Sequence, residues 1–582
     1  MEKLNVPEVT LNSIWDINPN MELSIEGKID ENPFFVFGVK VDPNNIDWHK
    51  DLFSEFKYPF LRFDKIRYGS YFDQGIDLVF PWELSRFYFA PLLAQKYILS
   101  KDEKYYSKFK TLCLHWIEKN PFLYGVNWIS TMDVSIRAIN WITAINIFGE
   151  IVKNDTVFLK AISKSLFQHG EYISKFPAVY EKNITTNHTT AAFTGLLIIS
   201  LSFPELSKAA KWQKQSYNGL VEAMDSQVYN DGVNFESAIC YHKLVTEFFV
   251  YSVIFAHSKG ILFPNYFLVK LFKMLEFIAS YIDDNGHAPQ FGDNDSGRVI
   301  ILSQETSDFY KNEDDHRYLL ELGTHLFEND FNWSKSNISK WLPNIKKVSV
   351  KELNYKPIDY KKSYNFKNGG FYILKNSNFH LVVGNCPLGQ NGRGGHNNID
   401  TGSFTLSVLG KPLIVDPGSY CYSRDRKTRD KFRHYTYHNT LITKEDYNLD
   451  ISENGYWGLK KYYFGELIEF TDNIIEMNIK DLYSNNVCTR RFTLSENELI
   501  IEDKLPDEFF LRMNLIPDTK LMKINDSEYF CNEIGLNFTF DSSQIVLDQY
   551  DYSPHYGKKE ESLFIKIKSK NHHKCCIKRI DI

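Results

Sequence analysis

RGGHNNIDTGSFTLSVLGKPLIVDPG, residues 393–418, is the stretch that decides the fold. Ser403-Phe404-Thr405-Leu406-Ser407-Val408 alternates polar and apolar side chains, the period-two pattern of a half-buried strand. Gly410-Lys411-Pro412 turns the chain into Leu413-Ile414-Val415, a second apolar run. A polar, glycine-rich segment around His396 precedes the first strand, and Asp416-Pro417-Gly418 closes the second. Downstream, Arg491 to Leu494 and Leu499 to Glu502 form another hairpin through Ser495-Glu496-Asn497. Runs of short strands of this kind predict a sandwich of antiparallel sheets.

Upstream the period is different. Ser100-Lys-Asp-Glu103 reads as a capping box opening a helix with Tyr106, Phe109, Cys113, Trp116 and Ile117 on one face. Pro121 bounds that helix. Asp133 to Phe148, Ala191 to Phe203, Lys243 to His257 and Tyr266 to Ile282 repeat the pattern, with short polar or Gly/Pro connections. The organisation expected is a helical domain over 1–345, a Lys- and Tyr-rich linker over 346–367, and a β-sandwich over 368–582. Two or more cores are also what a chain of 582 residues requires.

Composition narrows the function classes. Hydrophobic residues at 43% and charged residues at 24% describe a globular protein. A formal charge of −6 argues against a nucleic-acid partner held by phosphate contacts, yet a local cleft can still be positive. Eight cysteines without a C-x-x-C pair give neither a zinc framework nor a disulfide scaffold, which points to reduced thiols. The first residues lack a basic segment followed by an apolar one, so a cytoplasmic location is expected, or a periplasmic one had a leader been trimmed. The uncharged stretch Thr185 to Pro204 has too short an apolar part to span a bilayer, and no membrane insertion is expected.

Four clusters place titratable or Gly-rich residues within structural segments. They are Thr186-Asn187-His188, Glu236 with Tyr241-His242, Phe291-Gly-Asp-Asn-Asp-Ser-Gly-Arg298, and the His396 segment with Asp416 and Arg433 to Thr440. Singly, each has a plain structural explanation: a helix cap, a core tyrosine, a polar turn, a satisfied surface network. Together, and in this order, they resemble the heparinase II/III family of polysaccharide lyases, related also to oligoalginate lyases. The resemblance runs from about residue 75, at Trp82-Glu-Leu-Ser-Arg86, through Asn127-Trp128 and Arg137 to Trp141, to at least residue 445. It implies an incomplete (α/α) toroid followed by a β-sandwich.

The resemblance also implies roles. A lyase cleaves a 4-linked uronic acid by neutralising the C5 carboxylate, removing the C5 proton and protonating the departing O4. Asn187 and His188 would face the carboxylate, Tyr241 would be the main acid/base, and His396 a second base or an orienting group. Tyr241 would need nearby positive charge to act as a base, from Arg393, Arg433 or protonated histidines. Glu236, Arg393, Arg433 and Tyr437 would bind substrate. No cofactor is required, but the family often carries a structural metal in the sandwich. Asp416 and His438 match two of its ligands, while Asn398 stands where a histidine is expected. Asparagine is a poor zinc ligand, though its oxygen suits harder cations such as calcium. The expected partner is an anionic polysaccharide: heparan sulfate or heparosan, alginate, or a capsule polymer. The alternatives are a non-catalytic glycan-binding or capsule-biosynthesis protein, and a glycoside hydrolase built on Glu236 with Asp293 or Asp295. Oligomeric state is left open.

Overall fold

The computed structural model describes residues 34–178, 185–302, 313–331, 333, 338–443, 450–453, 456–542 and 544–580. Helices fill the first part, from Val79–Ser85 to Arg317–Leu326, and strands fill the second, from Tyr364–Phe366 to Glu560–Arg579.

The longest helices are buried almost all round. Thr131–Phe148 and Ile239–His257 each leave at most one or two residues outside the core, which is the pattern of inner helices in a large helical layer. Ile239–His257 has the length and apolarity of a membrane span, but it is wholly packed within this core. The helix after residue 100 forms as Lys104–Lys119 and stops before Pro121. Its expected capping box does not form. Ser100 ends the preceding helix, Phe89–Ser100, and its hydroxyl bonds back to the Lys96 carbonyl at 2.8 Å. A capping box forms instead at Thr186 and Thr189, at the head of Asn187–Ser202.

The sandwich has a five-stranded antiparallel meander, Tyr364–Phe366, Phe371–Lys375, Phe379–Gly384, Ser403–Val408 and Lys411–Ile414. It packs on a ten-stranded sheet whose centre is the long pair Glu498–Asn514 and Glu560–Arg579. Phe404, Leu406 and Val408 point into the space between the sheets, where Phe404 meets Phe492 at 5.4 Å.

The half-buried expectation for Ser403–Val408 is corrected by the structure, because its polar face is covered too: Ser403 is fully buried and Thr405 nearly so. The small sheet is a middle layer. Its second face carries Phe366, Phe371, Ile373 and Val382 into the helical core, where Phe277 lies 4.7 Å from Phe366 and 5.1 Å from Phe371. On the same face His380 bonds the Ser280 carbonyl at 2.9 Å, and burial lowers its pKa to about 3. The segment between the domains is held down as well. Tyr355 and the Ile358 amide both donate to Glu276 at 2.7 Å, and the first strand of the sandwich starts within that segment at Tyr364.

Candidate active site

Helical domain and sandwich meet at a cleft of about 590 Å³. Asn187, His188, Tyr241 and His396, which lie up to 209 residues apart in sequence, all line it.

Each is placed by a helix start or a tight loop. Asn187 opens its helix, so its amide is one of the first-turn donors without an intrahelical partner. That amide donates to Glu236 Oε1 at 2.6 Å, and the Asn187 side-chain Nδ2 donates to Glu236 Oε2 at 2.9 Å. Tyr241 sits in the first turn of Ile239–His257. Its ring stacks on His396, centroids 3.6 Å apart and planes 18° apart. The Tyr241 hydroxyl pairs with that of Tyr422 at 3.0 Å.

His396 is bracketed by two carboxylates. Asp293 Oδ2 lies 3.3 Å from Nδ1, and Glu236 Oε2 lies 3.6 Å from Nε2. Gly292 allows this approach. Its φ is +76°, and a Cβ there would come within 2.5 Å of Ala238 Cβ and 2.8 Å of the His396 carbonyl. The same strand of loop is tied on both sides, by Asp293 N–H to the His396 carbonyl and by Ile239 N–H to the Phe291 carbonyl. Asp293 also accepts from Arg429 Nη2 at 3.1 Å. Burial works against the charge on Asp293, but Arg429, the His396 hydrogen bond and Arg433 outweigh it and hold the carboxyl well below its usual range.

The electrostatics differ from the expectation that cations surround Tyr241. Burial, then the nearby Asp295, Cys240 and Asp293, push its phenol well above its ordinary value; the Tyr422 hydrogen bond opposes this. Tyr241 therefore holds its proton at neutral pH. Burial lowers His188 to about 4, against Asp133 and helped by His396 and Arg86, so this imidazole is neutral. It offers a hydrogen bond to a carboxylate rather than a countercharge. Arg86 reaches the cleft wall but is spent on Asp133 and Glu83, at 2.6 Å each.

Of the residues expected to touch substrate, Arg393 lines the cleft. Glu236, Arg433 and Tyr437 do not. Glu236 is fully buried behind Asn187 and His396. Arg433 is 1% exposed and uses Nε and Nη2 on the carbonyls of Asn397 and Gly394, so it holds the His396 loop. Tyr437 packs with Phe432, Tyr550, Tyr552 and Phe564 in a separate cluster.

The cation expectation also changes. Asp400, Asp416 and His438 bring one ligand atom each within 4.8 Å of one another. His438 Nδ1 bonds Asp416 Oδ2 at 2.7 Å, and its Nε2 is buried with no hydrogen-bond partner among the described residues. Asp400 thus offers a third candidate ligand atom beside Asp416 and His438, in addition to the expected Asn398. The Asn398 amide is nonetheless buried, with neither side-chain atom bonded. Two carboxylates and one imidazole fit a divalent cation of the harder kind.

Tyr422, Arg429 and Asp400 were not singled out in the sequence. Asp400 closes the quoted Gly-His segment and was open to being read as a ligand. Tyr422 and Arg429 reach the site through Tyr241 and Asp293, each more than a hundred residues away in sequence.

The family description "Heparinase II/III N-terminus" matches residues 23–318, and "Heparinase II/III-like, C-terminal" matches residues 360–578. The chain belongs to the heparinase II/III family. It is 24% identical over 404 residues to a heparin-sulfate lyase of Bacteroides stercoris, covering 64% of this chain and 55% of that one. It is 24% identical over 418 residues to the heparin-sulfate lyase of Pedobacter heparinus, covering 66% and 56%. The chain thus spans about half the length of the curated relatives it matches. Among solved structures, a heparinase III superposes with a TM-score of 0.65 at 17% identity, over 98% of this chain and 87% of that one. A chondroitin AC lyase of Streptomyces coelicolor superposes with a TM-score of 0.52 at 11% identity, over 86% and 74%. These likenesses establish the fold, an incomplete toroid followed by an antiparallel sandwich.

Proposed function

We propose that this member of the heparinase II/III family is a polysaccharide lyase that cleaves a uronate glycan of the heparan sulfate class by β-elimination. The observation that carries the reading is the convergence of the Tyr241 hydroxyl, the His396 imidazole and the Asn187–His188 pair on one cleft.

The residues divide the work as follows. Asn187 and neutral His188 hydrogen-bond the C5 carboxylate and stabilise the enolate-like intermediate. His396 donates Nδ1–H to Asp293, which leaves Nε2 as the basic nitrogen. Nε2 lies beyond hydrogen-bond range of Glu236, so it is open to the C5 proton. Tyr241, protonated at rest, gives its proton to the departing O4. The Tyr422 hydroxyl then stabilises the resulting phenolate at 3.0 Å. A hydrolase built on Glu236 with Asp293 or Asp295 is disfavoured because Glu236, common to both pairs, is fully buried and engaged on Asn187.

We further propose that Asp400, Asp416 and His438 hold a structural divalent cation. It would tie both ends of the hairpin Ser403–Val408 and Lys411–Ile414, which follows the His396 loop, to the segment before Leu441–Ile442.

The lyase assay follows the ultraviolet absorbance of the unsaturated uronate made from heparosan or heparan sulfate. Wild type should produce it and Tyr241→Phe should not. In D2O, Tyr241→Phe should still exchange the C5 proton, because His396 remains. No absorbance from wild type on any acidic glycan would overturn the lyase reading. Loss of exchange in Tyr241→Phe would move the base from His396 to Tyr241.

A further inference from the structure

The proposed catalytic residues line the cleft together with a segment, Phe63 to Phe72, whose neighbours in the chain are exposed on the surface. Phe63, Tyr68 and Phe72 line the cleft, where Phe63 packs edge-on against Tyr172 at 5.3 Å and Phe176 at 5.5 Å. Three residues before Phe63, Phe60 leaves the cleft and stacks on Tyr124, centroids 6.0 Å apart and planes 29° apart. Phe60 is 54% exposed and Tyr124 44%. Single exposed rings need no explanation, but a stacked pair tied by backbone hydrogen bonds to a cleft-lining segment offers a binding surface.

The set is fixed. Arg62 and Tyr124 form an antiparallel bridge, Phe63 N–H donates to the Leu123 carbonyl at 2.9 Å, and Gly125 N–H donates to the Leu61 carbonyl at 2.8 Å. The outer rings are therefore rigidly coupled to the cleft wall, within about 10 Å of chain from Phe63. The charge on this rim also differs from that inside. Lys65 and Arg67 are exposed and pair with no carboxylate among the described residues, whereas Arg86 within the cleft is neutralised by Glu83 and Asp133.

We infer that Phe60 and Tyr124, with Lys65 and Arg67 beside them, form an outer subsite for further sugar residues of the same anionic glycan. The ring faces meet the apolar faces of the pyranoses, and the two cations meet carboxylate or sulfate groups. The inference rests on the lyase reading and adds that the protein grips chains longer than those its catalytic residues span.

The test uses uronate oligosaccharides of defined length and the long polymer, with the full chain. Wild type should show a KM that falls about tenfold from tetrasaccharide to polymer. Phe60→Ala combined with Tyr124→Ala should raise the polymer KM about tenfold, leave kcat in place, and leave the tetrasaccharide constants within about twofold. Phe60→Tyr, which keeps a ring, should behave as wild type and so guards against a folding defect. Lys65→Gln with Arg67→Gln should flatten the salt dependence of the polymer KM. Equal losses on short and long substrates, or a wild-type KM indifferent to length, would overturn the subsite while leaving the lyase intact. Should wild type prove inactive on every glycan, gel retardation by heparosan decides separately. Retardation lost in the Phe60 and Tyr124 variant supports the subsite, and no retardation of wild type removes it.

Discussion

Glu236→Gln separates positioning from chemistry at this site. Glu236 is fully buried and accepts two hydrogen bonds from Asn187, one from the backbone at 2.6 Å and one from the side chain at 2.9 Å. Glutamine keeps the shape but has one acceptor oxygen, and its amide must face one of these donors. A hydrogen bond to a charged group contributes about 1.5–3 kcal/mol and a neutral one about 1. Losing one and weakening the other therefore costs about 2–4 kcal/mol. For a helical domain of about 300 residues that corresponds to a Tm lower by about 5 °C. The catalytic loss should exceed what stability explains, because Asn187 loses its anchor and His396 loses the carboxylate facing Nε2. A displacement of about 1 Å at such a site costs on the order of 100-fold in rate. The assay is initial-rate formation of unsaturated uronate at a temperature where the variant is fully folded, with Tm measured in parallel. Asn187→Ala combined with Glu236→Gln should lose little more than Asn187→Ala alone, since Glu236 acts through Asn187. A variant with the lowered Tm but kcat within twofold of wild type would refute the positioning role.

Tyr422→Phe removes the hydroxyl 3.0 Å from that of Tyr241. It should lower kcat about tenfold with little change in KM, and shift the alkaline limb of the kcat–pH profile upward, because this hydrogen bond lowers the Tyr241 pKa. Chelation of the purified protein should lower Tm, and elemental analysis should find about one calcium or manganese per chain, lost in Asp400→Asn; zinc at that stoichiometry would contradict the hard-cation assignment. His380 titrates near 6.5 when unfolded and near 3 when folded, so the unfolded chain binds the extra proton as pH falls below 6.5. Its contribution is complete above pH 6.5 and is lost on acidification, by about 3 kcal/mol at pH 4. His380→Gln should therefore flatten the fall of Tm between pH 6.5 and 4, an effect read by calorimetry across that range.

How much of this was legible depended on the distance over which each feature is decided. The switch from period 3.6 to period two is local, so Thr131–Phe148 and Ser403–Val408 could both be read from side-chain spacing. The second covered face of Ser403–Val408 could not, because Phe277, more than a hundred residues upstream, is what puts the helical core there. The Ser100 capping box failed for a related reason: its residues had the right spacing, but the previous helix had already claimed Ser100. The motifs brought Asn187, His188, Tyr241 and His396 to one cleft, whereas Arg433 and Tyr437, expected to bind substrate, do not line it. Arg433 is an arginine beside a histidine loop, and the sequence does not say whether its fork meets a substrate or two backbone carbonyls. Asp400, two residues after Asn398, shows its place beside Asp416 and His438 only in three dimensions.

The distribution of these residues has a mechanical consequence. Tyr241 and the Asn187–His188 pair belong to the helical domain, while His396 and Tyr422 belong to the sandwich, so the proposed reacting geometry exists only while the two domains keep their register. The interface enforces that register with directional contacts as well as apolar ones. Tyr556 of the sandwich donates to Asp77 of the helical domain at 2.6 Å and accepts from the Tyr422 amide at 2.9 Å. Asp293 of the helical domain joins His396 to Arg429 of the sandwich. An apolar interface of the Phe277 kind tolerates sliding by a fraction of a side chain, since dispersion changes gradually with distance. A buried hydrogen bond does not, because misalignment leaves a desolvated polar group unpaired. The polar clamps therefore sit where the tolerance must be smallest, around Tyr422 and His396, beside the Tyr241–His396 ring stack, and the Phe277 packing adds cohesion between the domains.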